Sequence, residues 1–163
     1  MSFFAPALEG TKSQQYAQFG QQLAALIGDE RDLVANMANM SALIFHQLGD
    51  LNWAGFYLMK DGELVLGPFQ GKPACIRIAV GRGVCGTAAA SRETQVVPDV
   101  HAFPGHIACD ADSRSEIVVP LIKDGVVIGV LDLDSPRPDR FDEDDRAGLE
   151  AAAGLLLDAS TMI

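Results

Sequence analysis

The chain has 163 residues, 48% of them hydrophobic, with 12 Lys and Arg against 22 Asp and Glu, a formal charge of −10. That length and apolar content suit one domain around one core and exclude a disordered chain. The acidity speaks against nucleic-acid binding, because phosphate backbones attract basic faces. The opening "MSFFAPALEG" has no basic run ahead of an apolar stretch, so it does not read as a signal peptide. No apolar run approaches the roughly 20 residues of a membrane helix. Three cysteines, an odd number, argue against a structural disulfide framework. The expectation is a cytoplasmic protein without membrane contact, whose thiols are either packed hydrophobes or carriers of chemistry.

In chain order, residues 11–28 place Tyr16, Phe19, Leu23, Leu26 and Ile27 on one helical face. Residues 30–48 repeat the pattern with Leu33, Met37, Met40, Ile44 and Leu48. The period then shortens. "NWAGFYLM", Asp61-Gly62 and "ELVLGPF" read as a hairpin with an Asp-Gly turn. "ACIRIAV" reads as a short strand, "GRGVCGTAAASRE" as a glycine-rich turn entering a helix, and "TQVV" as a strand stopped by Pro98. Residues 98–113 form a long loop, of the kind that often carries function. "SEIVVPLIKDGVVIGVLDLDS" is a second hairpin turning at Asp124-Gly125, and "FDEDDRAGLEAAAGLLLDA" is a closing helix with acids in its first turn. The fold class expected is α+β: a central antiparallel sheet over residues 52–135, with helices 11–48 and 141–160 packed on one face, all in one domain, 1–163.

Strand parity sorts the side chains into faces. Ala54, Phe56 and Leu58, then Ile76, Ile78 and Val80, then Ile117, Val119 and Leu121, then Leu131 and Leu133 form apolar faces for the helices. The opposite parity collects Trp53, Gly55 and Tyr57, then Cys75 and Arg77, then Glu116 and Val118, then Val130, Asp132 and Asp134. If those second faces align, they line a pocket of acids, thiol and aromatic rings. Plainer readings stand beside this one: Asp132 and Asp134 as a solvated strand face, Trp53 and Tyr57 as core, Cys75 as a small packed hydrophobe. Aspartate is disfavoured in strands, so two at alternate positions call for a reason.

Three further chemistries fit the residue types. Cys85 follows "GRGV" at a helix start, where the dipole lowers a thiol pKa; by that rule it is the best thiolate of the three. His106, Cys109, Cys75 and Cys85 are zinc-type ligands, though at a spacing without a tight pair. Cys109 with His106 or His101 would suit papain-like catalysis, but Asp110, Asp112 and Glu116 make that segment acidic, which opposes thiolate formation.

Trp53, then Cys75-x9-Cys85-x23-Cys109, then Glu116 and Asp132-x-Asp134, with "GRGVCGTAA", "VVPDVHAFPGHIACDADSRSEIVVP" and "GVLDLDSP", resemble the free methionine-(R)-sulfoxide reductases, which are single GAF domains. The resemblance covers essentially the whole chain. It implies reduction of free L-methionine (R)-S-oxide, with Cys109 as nucleophile, Cys75 as resolving cysteine, and Cys85 as a third cysteine that also pairs with Cys109 or relays oxidation. It implies Trp53 and Tyr57 as the wall around the S-methyl group. Glu116, Asp132 and Asp134 become the carboxylates that bind substrate and assist proton transfer; which of them donates the proton stays open. Thioredoxin as reductant, a homodimer, and no metal or organic cofactor are implied as well. The alternative is a stand-alone GAF module that senses a small ligand or redox state without catalysis.

Overall fold

The structure, a computed structural model, describes residues 3–107 and 109–163. Two helices open it, α1 (Lys12–Ile27) and α2 (Leu33–Gln47). There follow β1 (Trp53–Lys60), β2 (Glu63–Gly71), β3 (Arg77–Ala79), α3 (Gly83–Ser91), β4 (Gln95–Val97), β5 (Ser115–Lys123), β6 (Val126–Ser135) and α4 (Glu143–Ala159). The six strands form one sheet in the order β3-β2-β1-β6-β5-β4, every neighbouring pair antiparallel. Both hairpins turn where the sequence places them. Asp61 and Gly62, like Asp124 and Gly125, adopt positive φ, the backbone that matches the twist of an antiparallel pair.

The terminal helices begin at side-chain caps. Thr11 and Gln14 make a reciprocal capping box on α1, and Asp142 with Asp145 makes another on α4. Asp145 is buried and multiply bonded: it accepts from the Tyr16 hydroxyl at 2.7 Å and Lys12 Nζ at 2.6 Å, and pairs with Arg140. This ties α1 to the start of α4. α1, α2 and α4 cover one face of the sheet. Their Phe19, Leu23, Met37, Met40, Ile44, Leu149 and Leu156 pack against Ala54, Phe56, Leu58, Ile117, Val119, Leu121, Leu131 and Leu133. Each fully buried Leu, Ile or Phe there contributes about 1.5–3 kcal/mol.

α3 lies on the opposite face, where Val84, Cys85, Ala88 and Ala89 join Trp53, Tyr57, Val118 and Val130 in a second cluster. The parity expected for β1, β5 and β6 is the parity found; that for residues 74–80 is not. β3 is shorter, because Pro73 has no N–H for a ladder and residues 72–75 stay outside regular structure. Ile78 is the only buried residue of the expected apolar set Ile76, Ile78 and Val80, and it packs into the second cluster, away from the terminal helices. Arg77 points outward and pairs with Glu63 at 2.6 Å, so it does not share a site face with Cys75.

Candidate active site

Trp53 opens β1 at the edge where β6 ends: Trp53 pairs with Asp134 and Gly55 with Asp132. On the other side of β6, Glu116 of β5 pairs with Asp134. Antiparallel register thus collects residues from three strands at one end of the sheet, on the face away from the long helices. Trp53 stacks on Tyr57 at 5.9 Å and on Phe69 at 5.2 Å between ring centroids. The polar tips of Trp53 and Tyr57 reach the segment after β2. Trp53 Nε1 donates to the Lys72 carbonyl at 3.1 Å, and the Tyr57 hydroxyl donates to the Cys75 carbonyl at 2.9 Å. The irregular stretch carrying Cys75 is therefore pinned to the sheet by its backbone.

Cys75 and Cys109 are joined in a disulfide, with Cα atoms 5.5 Å apart. A cavity of about 40 Å³ lies beside it, lined among others by Trp53, Tyr57, Cys85, Cys109, Glu116, Asp132 and Asp134. That is room for a water molecule or two and not for an amino acid. Pro73 and Ala74, just ahead of Cys75, line it as well. The zinc set weighed from the sequence is dismantled here, since two of its four donors are bonded to each other. A different trio, Cys85, Glu116 and Asp132, has donor atoms within 4.8 Å of one another.

The electrostatics follow from burial. Glu116 and Asp132 are 7% and 6% exposed, and no arginine or lysine is paired with either of them or with Asp134 among the described residues. Burial first, and then the charges of Asp132 and Asp134, push the Glu116 carboxyl well above the ordinary glutamate range. Asp134 is also pushed well up, by burial and the charge of Asp132, while Glu116 and Ser113 act to lower it. Asp132 is raised by burial and pulled back by hydrogen bonds from Glu116, Cys85 and Asp134. Every influence on Glu116 favours its proton, and Asp132 collects donors. Burial and neighbouring charge thus favour a proton on Glu116 and on Asp134, while the donors around Asp132 favour its ionised form. Asp132 Oδ1 and Asp134 Oδ1 are buried without a hydrogen-bond partner among the described residues, two acceptors left for a ligand.

Cys85 corrects the thiolate ranking made from the helix-start rule. It is the third residue of α3 and fully enclosed. Burial, followed by the charges of Asp132, Glu116 and Asp134, raises its thiol pKa well above the ordinary value. The helix dipole, worth about 0.3–1 kcal/mol, loses to desolvation beside acids.

The structure also gives places to residues for which the family resemblance implies no role. His106 lines the cavity, its pKa lowered by burial and by His101. Asp110 lines it too and accepts from Asn52 Nδ2 at 3.0 Å, so it is not a free loop residue. Asp112 is solvated and pairs with Lys72. Asn52 and Ser113 meet at 3.1 Å. Nothing in their local sequence marks either residue; contacts across 61 positions do.

The GAF domain family matches residues 34–159. The free methionine-R-sulfoxide reductase of Escherichia coli is 55% identical over 138 residues, 85% of this chain and 84% of that protein. The reductase of the same name from Saccharomyces cerevisiae is 52% identical over 131 residues, 76% of this chain and 73% of that protein. Among solved structures, free methionine-R-sulfoxide reductase from Neisseria meningitidis in complex with its substrate superposes with a TM-score of 0.93 at 46% identity, covering 97% of this chain and 95% of that one. The sheet order, the disulfide beside a buried acid cluster and these likenesses agree: the chain belongs to the free methionine-R-sulfoxide reductases, a family built on the GAF domain.

Proposed function

We propose that the protein reduces free L-methionine (R)-S-oxide to L-methionine. The observation that supports this reading most is a disulfide-forming cysteine pair beside a proton-retaining carboxyl, Cys75–Cys109 next to Glu116. A sulfoxide sulfur is a poor electrophile until its oxygen takes a proton, and a carboxyl held above its ordinary pKa supplies one near neutral pH. Cys109 sulfur attacks the substrate sulfur as Glu116 protonates the oxygen. Oxygen passes to Cys109 as a sulfenic acid, and methionine leaves, reduced by two electrons. Cys75 thiol then attacks the sulfenic sulfur, forming the Cys75–Cys109 bond and releasing water. An external dithiol, thioredoxin in this proposal, restores both thiols by exchange and is itself left as a disulfide.

Asp132 and Asp134, with their unpartnered oxygens, are assigned to the substrate's amine and sulfoxide ends, and Trp53 with Tyr57 to its S-methyl group. An ammonium against these carboxylates selects the free amino acid, since peptide-bound methionine sulfoxide offers an uncharged amide. The disulfide form encloses too little space for substrate, so the loop of residues 98–113, which carries Cys109, opens after reduction and closes over substrate. We place the reaction in the cytoplasm, where thiol reductants are maintained, and in a homodimer.

Methionine release from each diastereomer of the free sulfoxide, with dithiothreitol and then with thioredoxin and its reductase, tests the reading. The (R) form alone should be consumed. Equal turnover of (R) and (S), or of a peptide bearing the sulfoxide, would overturn it. Light scattering on the purified protein measures the oligomer.

A further inference from the structure

We propose that Asn52 is a positioning residue, holding the Cys109 segment against the acid cluster when the loop closes over substrate in the reduced protein, where the Cys75–Cys109 bond is gone. The proposal rests on the reductase reading above.

Asn52 stands immediately before β1 and bonds in two directions. Its backbone N–H donates to the Asp134 carbonyl at 3.0 Å, on the strand that carries two of the three acids. Its side-chain Nδ2 donates to Asp110 Oδ2 at 3.0 Å and to Ser113 Oγ at 3.1 Å, on the segment that follows Cys109. A carboxylate only accepts, so the amide nitrogen has to face Asp110. Asp110 in turn accepts from the Asp112 N–H at 2.9 Å and folds the segment on itself. Ser113 is 5% exposed. With its oxygen engaged by Asn52, its hydroxyl hydrogen is left for Asp134, whose proton affinity it lowers.

Among the described residues, the other backbone hydrogen bonds of residues 105–113 are local: His106 to Phe103, Cys109 to Ile107 and Ser113 to Asp110; the backbone next joins β6 beyond them, where the Arg114 N–H donates to the Ser135 carbonyl at 2.8 Å. The second tie to the body, Lys72 to Asp112, is an exposed ion pair, weak and screened by salt. In the oxidised protein the disulfide itself holds Cys109 in place. After reduction that bond is gone, and among the described residues the buried side-chain ties left between the Cys109 segment and the acids run through Asn52 and the Ser113 hydroxyl that it engages. Its Oδ1 is buried with no partner among the described residues. An unpaired buried acceptor costs stability, so this side chain is poorly explained as a stabilising device and well explained as a positioning one.

The test uses the full chain, reduced, with Asn52→Ala and the isosteric Asn52→Asp, which faces Asp110 with an acceptor. Methionine formation from free (R)-sulfoxide is followed in a single turnover and as KM. In parallel, Cys109 is alkylated with iodoacetamide in a Cys75→Ser background. A misplaced nucleophile costs about 10- to 100-fold in the chemical step. Both Asn52 variants should lose that much, with little change in KM, while alkylation of Cys109 stays as fast or quickens because the segment is freer. Lys72→Ala should match wild type. Variants that turn over like wild type overturn the proposal. So does a loss of alkylation that parallels the loss of turnover, or failure of both Asn52 variants to fold, which would make the role structural. If wild type forms no methionine, the reductase reading falls first and this one with it.

Discussion

The two faces of β1, β5 and β6 are built from alternate residues of the same strands, yet they do opposite things. On the helix-covered face, Ala54, Phe56, Leu58, Ile117, Val119, Leu121, Leu131 and Leu133 are at most 6% exposed and wholly apolar. On the other face, Trp53 and Tyr57 stand with Glu116, Asp132 and Asp134, three carboxyls whose proximity is unfavourable when ionised. Burial stabilises the first face and destabilises the second, because desolvation favours hydrocarbon and penalises charge. A fold with net stability of about 5–15 kcal/mol tolerates such an acid cluster only when another layer carries the cohesion. Here that layer is the other side of the same sheet.

Substitutions on each face should separate these roles. Cys109→Ser removes the proposed nucleophile and should take methionine formation to background while the melting temperature of the reduced protein hardly moves. Appreciable turnover by that variant would refute the chemistry. Glu116→Gln removes the proposed proton donor and should cost about 10²- to 10⁴-fold in kcat/KM. It also carries a signed stability effect. Wild-type folding retains a proton at Glu116 that the unfolded chain gives up above about 4.5. Wild-type stability therefore falls as pH rises from there through the raised folded pKa, and below it the effect vanishes. Relative to wild type, Glu116→Gln should melt higher at pH 8 than at pH 4; a pH-independent difference would show that Glu116 is not proton-retaining.

Leu131→Ala, on the opposite face of the same strand, should cost about 2–5 kcal/mol in urea unfolding and leave turnover per folded molecule near that of wild type. A specific loss of turnover there would mean that the two faces are coupled. The smallest effect is expected at Cys85. Its thiol is held protonated, so at neutral pH it should alkylate far more slowly than Cys109 in the reduced protein, and Cys85→Ser should change turnover only a few-fold. Labelling at the same rate as Cys109 would break the argument from burial.

Much of the architecture was legible in the sequence because its signals are local. The Asp-Gly turns, the apolar period of α1 and α2, the acids opening α4 and the parity of β1, β5 and β6 each reflect neighbours within a few residues. The parity rule failed at residues 74–80, where Pro73 delays the strand and Ile78 turns to the site side. It needed to know where pairing starts, which neighbouring strands decide. The family resemblance singled out Cys109 and Cys75, which the structure joins in a disulfide, while a general rule about helix starts favoured Cys85. That rule weighs the dipole but has no access to depth of burial or to the acids of distant strands.

By itself the sequence determined the element order, the two faces of the central strands and the chemical character of each, because period and residue type are properties of the chain. Only the tertiary structure decided that Cys75 and Cys109, 34 positions apart, are bonded to each other. It alone set Glu116, Asp132 and Asp134 side by side, and brought Asn52 between the segment after Cys109 and the strand that carries two of the acids. Those properties depend on distance and dielectric between groups remote in sequence, and the chain acquires them when its sheet closes.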